Sequence, residues 1–206
     1  NENLYLLSIF SVLVGLIRYR ETQQRKKLEN DRREKELAEA KNLQRSLLPK
    51  RIPEVDGVQI SAYLKTSTEV GGDYYDFYET ENALFAICGD ATGHGVTSGI
   101  MVSVTKAGLN GIKLQDPGEI LGKLNSIVKR VNFGRLRMSL SVAKITADAL
   151  IISSAAMPPA YVYESEKKYT REILVPNLPL GGLEHENFES VRLQFQSGDV
   201  LVMLSD

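Results

Sequence analysis

The chain has 206 residues, of which 43% are hydrophobic and 25% are charged, and its formal net charge is -1. This length is sufficient for one ordinary domain and an additional segment, and the apolar content is sufficient for a packed core. The balanced charge gives no general attraction for nucleic acid, and the basic residues cluster beside an apolar N-terminal stretch. Nucleic-acid binding is therefore disfavoured.

Residues 4–17 are uncharged and mostly apolar, and five basic residues follow between positions 18 and 27. A membrane-spanning helix needs about 20 apolar residues, so residues 1–20 are predicted to be the inner end of a transmembrane helix and its basic flank. A signal peptide is disfavoured, because the expected basic start and cleavage site do not occur. Positive residues flank spans on the cytoplasmic side. We therefore expect attachment to the inner membrane, with the remaining chain in the cytoplasm.

Residues 21–49 are predicted to form a helical linker. The segment is dense in Glu, Lys, Arg and Gln, which favour helices, and Pro49 ends it. Apolar residues recur at steps of three and four, at Leu37, Ala40, Leu43 and Leu47. This narrow seam fits either a solvated rod or a parallel coiled coil, and it is shorter than the heptad run that identifies a coiled coil. We expect the coiled coil, and therefore a homodimer formed through this helix.

Residues 50–206 are predicted to be a globular domain of class α+β, because strands, two helices and further strands follow one another. An alternating segment at 58–65 predicts a first strand, and 72–79 with 83–88 predicts a hairpin. Two helices are predicted at 102–112 and 119–131. The remaining short apolar runs predict strands at 138–145, 149–154, 160–163, 173–175, 191–195 and 199–204.

Three acids lie at predicted strand ends or starts, beside glycine or serine. Asp73 follows a double glycine, Asp90 lies in the loop sequence Cys-Gly-Asp-Ala-Thr-Gly-His-Gly, and Asp206 follows Ser205 after the last apolar run. One such acid alone is more often a turn residue. Three together are typical of a carboxylate-lined centre for Mg²⁺ or Mn²⁺, which prefer oxygen ligands.

In this order the motifs resemble those of SpoIIE-type phosphatases, the bacterial metal-dependent serine/threonine phosphatases related to the type 2C phosphatases. The resemblance covers about residues 43–206. It rests on Gly71-Gly72-Asp73 with Tyr75-Asp76, on Gly89-Asp90 with Gly93-His94-Gly95, on Ser154 to Pro159, and on Gly198-Asp199 leading to Ser205-Asp206. It implies an α-β-β-α sandwich of two antiparallel sheets flanked by helices, with a metal centre at one edge between the sheets.

The resemblance also implies site residues and a reaction. Asp90 would bridge two Mn²⁺ or Mg²⁺ ions, the Ala91 backbone carbonyl would add an oxygen, and Asp73 and Asp206 would each bind one ion. Asp76 would support the ligands from outside. A metal-activated water would then hydrolyse phosphoserine or phosphothreonine on a protein, expected to be a small antagonist of an anti-sigma factor. The phosphatase would be the output domain of a membrane-linked signalling protein.

Other polar residues receive weaker assignments. His94 could donate a proton to the leaving group or only contact its turn, and it is left outside the catalytic set. His185 is predicted to lie on the surface and Asp199 to be structural. Ser154 and the run from Met157 to Pro159 are expected to shape the cleft. Cys88, the only cysteine, is predicted to be a buried core thiol.

Both ends of the sequence depart from the family pattern. The resemblance implies a glycine, helices and a late aspartate ligand after Asp206, and a sensory region before the apolar stretch, so the phosphatase domain is expected to be C-terminally incomplete. The alternative function is a non-catalytic phosphoprotein-binding or scaffold module with the same fold. A kinase or P-loop nucleotide triphosphatase is disfavoured, because the Gly-x-x-x-x-Gly-Lys-Ser/Thr motif does not occur.

Overall fold

A computed structural model of the chain describes residues 2–65, 71–184 and 186–205. The chain divides into two compact units, Asn1–Glu39 and Ala40–Asp206. Helix α1 runs from Glu2 to Leu47, which confirms the helix predicted in the linker. Ion pairs one turn apart, Arg32–Glu36 at 2.8 Å and Arg33–Glu29 at 2.5 Å, lie on its exposed surface.

Within the described part of the chain, no helix contains a stretch that is both long and apolar enough to cross a membrane. Leu43 belongs to the predicted apolar seam, and Leu28 precedes the seam along the chain. Each of these leucines is 69% exposed in the single chain. Membrane attachment, the coiled coil, the homodimer and the domain boundaries at 20 and 49 stay predictions.

Besides the end of α1, the second unit contains two helices and eight strands within the described residues. They are β1 (Asp73–Thr80), β2 (Ala83–Ala91), α2 (Val96–Gly111), α3 (Pro117–Val131), β3 (Met138–Ile145), β4 (Ala149–Ala155), β5 (Ala160–Glu164), β6 (Tyr169–Ile173), β7 (Ser190–Gln194) and β8 (Val200–Val202). One sheet has the order β1-β2-β3-β4-β7 and the other has the order β6-β5-β8. Every strand pair is antiparallel, which confirms the predicted class of two antiparallel sheets with helices.

Two hydrophobic clusters fill the layers of this unit. The larger cluster lies between the five-stranded sheet and helices α2 and α3, and includes Tyr74, Phe85 and Leu124. The smaller cluster lies between the two sheets, and includes Ala86 and Ala143 from one sheet and Val162 from the other. Because side chains alternate along a strand, each residue of the large sheet faces either the helices or the second sheet.

Several predicted boundaries differ from the structure. Burial alternates along the segment 58–65, as its sequence predicted. Within the described residues, however, this segment forms only an isolated bridge, between Val58 and Val55. It is therefore not a strand, because a strand needs a ladder of hydrogen bonds to a neighbour. The strand predicted at 173–175 lies earlier, at Tyr169–Ile173, because polar residues on the edge of the small sheet concealed it. Helix α2 begins at Val96, six positions before the predicted start. The glycine loop after Asp90 is therefore short.

Candidate metal centre

The β1–β2 hairpin places two of the predicted ligands opposite each other. Thr80 pairs with Ala83 beside a two-residue turn, and counting back along the ladder pairs Asp73 with Asp90. Directly opposed residues point to the same face of a sheet. Asp73 shares the face of Phe77, and Asp90 shares the face of Ala86, and both of these residues belong to the packing between the two sheets. The two carboxylates therefore lie at the edge of the layer between the sheets.

Gly72 brings two oxygen atoms of this site close to the backbone of β1. Its carbonyl accepts a hydrogen bond from the Ala91 N–H at 3.0 Å. A Cβ atom at position 72 would overlap both Asp90 Oδ1 and the Ala91 carbonyl oxygen, so these oxygens converge on the space that a side chain would fill. Carboxylate and carbonyl oxygens are the donors that Mg²⁺ and Mn²⁺ take. The residues present therefore fit a divalent ion held by Asp73, Asp90 and the Ala91 carbonyl.

The third predicted carboxylate, Asp206, lies outside the described residues, and so does His185. Among the residues that are described, no group of three or more His, Cys, Asp or Glu side chains could hold a metal ion. The structure thus brings Asp73 and Asp90 together, and the contribution of Asp206 stays a prediction.

The loop that follows Asp90 is built from glycine and from contacts to the start of β3. Gly93 and Gly95 have φ angles of 90° and 78°, which favour glycine. Thr92 donates its N–H to the Arg137 carbonyl at 2.9 Å, and its hydroxyl accepts the Arg137 N–H at 2.8 Å. These bonds fix the exit of the chain from the site. His94 is exposed at the tip of this loop, and its role stays a prediction.

Asp76 lies on the other face of β1 and has other partners than the predicted ligands. Its Oδ2 accepts hydrogen bonds from Tyr74 at 2.6 Å, from Tyr78 at 3.1 Å and from Lys106 of α2 at 2.6 Å. Its Oδ1 accepts the Phe77 N–H at 3.0 Å. Burial and the nearby carboxylate raise the pKa of both tyrosines. Asp76 therefore joins β1 to α2, whereas the sequence interpretation made it an outer support of the metal ligands.

Cys88 shares the face of Asp90 on β2. It is only partly buried, whereas the sequence predicted a buried core thiol. Burial, Asp73 and Asp90 together raise the pKa of its thiol to about 11. Along the same row of the sheet, Cys88 pairs with Ser141, and Ser141 pairs with Ser154. The two serine hydroxyls are 2.9 Å apart and buried, which gives Ser154 a place in the wall of the inter-sheet layer.

Sequence reasoning missed two residues near the centre. Ser139 of β3 is the ladder partner of Asp90 on the side away from Asp73, and only the register of three strands reveals it. Gln44 in α1 bonds to the backbone of Gly71, which a pattern of local spacing does not show.

Asp199, predicted to be structural, accepts hydrogen bonds from Ser165 and Gln196 in a turn. Its pKa is lowered, and the hydrogen bond from the Ser165 N–H is the largest cause.

Comparison with known proteins gives the family. Residues 80–206, more than half of the chain, match the profile of the family described as stage II sporulation protein E (SpoIIE). The chain belongs to the SpoIIE family. Asp90 and Ala91 lie within the matched residues, and Asp73 lies shortly before them.

This SpoIIE-family chain is 25% identical over 192 residues to the phosphoserine phosphatase RsbP of Bacillus subtilis (strain 168). The match covers 86% of the chain and 45% of RsbP, so the chain spans less than half the length of that relative.

Solved structures confirm the fold. The SiaA-PP2C domain of Pseudomonas aeruginosa superposes with a TM-score of 0.68 at 20% identity, over 84% of this chain and 71% of that one. The structure of RsbX in complex with magnesium gives a TM-score of 0.55 at 16% identity, over 66% of each chain. The SpoIIE-family chain therefore has the fold of type 2C phosphatases, as its motifs predicted.

Proposed function

We propose that the chain is a metal-dependent protein phosphatase that hydrolyses phosphoserine or phosphothreonine on a protein substrate. The observation that carries the proposal is the opposition of Asp73 and Asp90 across the β1–β2 ladder, beside the space left by Gly72. Membership of the SpoIIE family supports it, as does the similarity to a protein named phosphoserine phosphatase. The structure of RsbX with magnesium supports a divalent ion in this fold.

The chain's own residues supply the charge and the shape of the site. Asp73 and Asp90 present two carboxylates on one face, and the ladder bond between Gly72 and Ala91 holds the Ala91 carbonyl toward them. When bound, a divalent ion such as Mn²⁺ or Mg²⁺ lowers the pKa of a coordinated water and neutralises charge on phosphoryl oxygens. A protein nucleophile is not required.

The proposed setting is a membrane-linked signalling protein whose linker helix forms a homodimer and whose phosphatase domain lies in the cytoplasm. The substrate is a small phosphorylated antagonist of an anti-sigma factor, in a pathway regulated by partner switching. The complete centre would hold two ions, with Asp206 as a ligand. The family resemblance and the basic flank of the N-terminal apolar stretch support these features of the proposal.

Phosphate release from a phosphoserine peptide in the presence of Mn²⁺ tests the proposal. The matched variants are Asp73→Asn and Asp90→Asn, which remove charge without changing size, and Asp56→Asn, which changes an exposed aspartate. We expect metal-dependent release that falls by at least about 100-fold in the first two variants, because each loses a charged metal ligand. Peptide binding without phosphate release in the wild type would instead identify the alternative, a phosphoprotein-binding module.

A further inference from the structure

Gln44, in the last turn of α1, is bonded through both ends of its side-chain amide to one glycine 27 positions later in the chain. Its Nε2 donates to the Gly71 carbonyl, and its Oε1 accepts the Gly71 N–H at 3.0 Å. The side chain is 9% exposed. Both residues belong to the unit Ala40–Asp206.

This pair of bonds has the form of one rung of an antiparallel ladder, in which two residues exchange both N–H···O bonds. The Gln44 amide thus replaces a strand residue opposite Gly71. At the next position the Gly72 carbonyl accepts the Ala91 N–H, and at the position after that Asp73 pairs with Asp90. Gly71, Gly72 and Asp73, which lead up to the metal centre, are therefore each held by a partner. The partner of Gly71 comes from α1, and the partners of the other two come from the end of β2.

The restraint has a physical purpose at this place. Two consecutive glycines have more backbone freedom than any other dipeptide, so the segment before Asp73 is intrinsically loose. Yet Gly72 must lie against Asp90 Oδ1 and the Ala91 carbonyl, where even a Cβ atom does not fit. A displacement of Gly72 by a fraction of an ångström would change the separation between the Asp73 and Asp90 carboxylates, and a site for an ion such as Mg²⁺, which demands near-ideal geometry, would tolerate little such change.

Burial alone does not require an amide at position 44. The neighbouring Leu47 and Leu48 already pack the end of α1 against the helix-side core. An apolar residue at 44 would leave both backbone groups of the buried Gly71 without these partners, whereas the observed glutamine satisfies them. The choice of glutamine therefore points to the backbone of Gly71.

We propose that Gln44 is a positioning residue for the divalent ion, acting through Gly71 and Gly72 on Asp73 and Asp90. The inference rests on the proposed function, because it concerns the same centre. No hydrogen bond of Gln44 to either carboxylate is described. Gln44 holds the backbone segment that leads to Asp73 and lies against Asp90.

The test uses the 206-residue chain and three variants. Gln44→Leu and Gln44→Met keep the size of the side chain and remove both hydrogen bonds, and the second provides an unbranched replacement should the first fold poorly. Asn42→Leu removes an exposed amide from the same stretch of helix and is the matched control. Hydrogen exchange of the metal-free proteins reports the Gly71 amide, and calorimetric titration with Mn²⁺, well below the unfolding temperature, reports metal affinity.

We expect the Gly71 amide to be protected in the wild type and in Asn42→Leu, and to exchange faster in both Gln44 variants. Mn²⁺ affinity should fall by about tenfold in those variants, because each loses two bonds of ordinary strength. Phosphate release should recover in them as Mn²⁺ approaches saturation, which a general loss of folding would not produce.

An unprotected Gly71 amide in the wild type, or Gln44 variants that bind Mn²⁺ as tightly as Asn42→Leu, would overturn the inference and leave the proposed function intact. A wild type that neither binds Mn²⁺ nor releases phosphate would remove the proposed function, and this inference with it. The two failures are therefore distinguishable within one set of samples.

Discussion

The buried carboxylate of Asp76 gives the sharpest prediction about stability. Asp76 is 4% exposed and accepts four hydrogen bonds, from two tyrosine hydroxyls, the Lys106 ammonium and one backbone N–H. Substitution with leucine removes the acceptor for all four donors. Lys106 is 22% exposed and can reach water, and Tyr78 has a second partner in Asn110, so the loss falls mainly on Tyr74 and on the backbone of Phe77.

Loss of the acceptor costs the buried Tyr74 hydroxyl about 1–3 kcal/mol and the part-buried Phe77 N–H less, so Asp76→Leu should lower the free energy of unfolding by about 2–4 kcal/mol. Lys106→Met leaves Asp76 with three of its four donors, and should cost only about 1–2 kcal/mol. In the double variant, no lysine charge is left without its carboxylate partner. The combined cost should therefore be smaller than the sum of the two single costs.

Urea unfolding followed by circular dichroism measures all four proteins of this cycle, and equal m-values would show that the comparison is valid. The exposed Lys123 of α3 provides a matched control as Lys123→Met, for which we expect a change within about 0.5 kcal/mol. If Asp76→Leu cost less than Lys106→Met, the carboxylate would not be the centre of this network and the reasoning would be refuted.

Three further variants test other parts of the structure. Gly72→Ala should cost about 1–3 kcal/mol and weaken Mn²⁺ binding because its Cβ overlaps two oxygens, whereas Gly122→Ala, which meets open space, should be neutral or stabilising; similar thermal shifts in both would contradict this. Asn125→Ala should cost about 2–4 kcal/mol in urea, because Asn125 is 3% exposed and satisfies two backbone groups; a loss below about 1 kcal/mol would oppose it. The pKa of Asp199 is lowered, so its contribution is present above the unfolded-state value near 3.8 and is lost as pH falls through the folded-state value. The stability difference between wild type and Asp199→Ala should therefore narrow in acid, unlike that of the exposed control Glu166→Ala.

The sequence predicted the core of the candidate site because that part depends on local rules. A short polar turn between two apolar runs predicted the β1–β2 hairpin, and a short turn fixes the register that opposes Asp73 and Asp90. Asp116, Pro117 and Gly118 likewise predicted the start of α3, where the Asp116 side chain accepts the Gly118 N–H at 2.9 Å.

The remaining features depend on contacts that local patterns do not contain. The alternation of side chains placed Asp73 and Asp76 on opposite faces of β1, but it did not show which face meets the second sheet. The contact between Asp76 and Lys106 of α2 assigns the Asp76 face to the helices, and this contact is visible only in the structure. Gln44 lies in a segment whose composition is typical of a solvated linker, and its partner is 27 residues away. Cys88 lies in an apolar run, yet it is only partly buried, because it shares the face of β2 that carries Asp90, whereas Gly89 and Ala91 on the other face stay buried.

The central claim is that Asp73 and Asp90 would hold a divalent ion, with which the chain would hydrolyse a phosphate monoester. Hydrolysis of para-nitrophenyl phosphate tests it most directly, because this small substrate needs no protein recognition. The chain and a form extended past Asp206, where the resemblance predicts another carboxylate ligand, are each compared with their Asp90→Asn variants over a range of Mn²⁺ concentrations. We predict hydrolysis that depends on Mn²⁺ and is lost in Asp90→Asn. Hydrolysis that is absent from both forms, or that is unchanged by Asp90→Asn, would contradict the account.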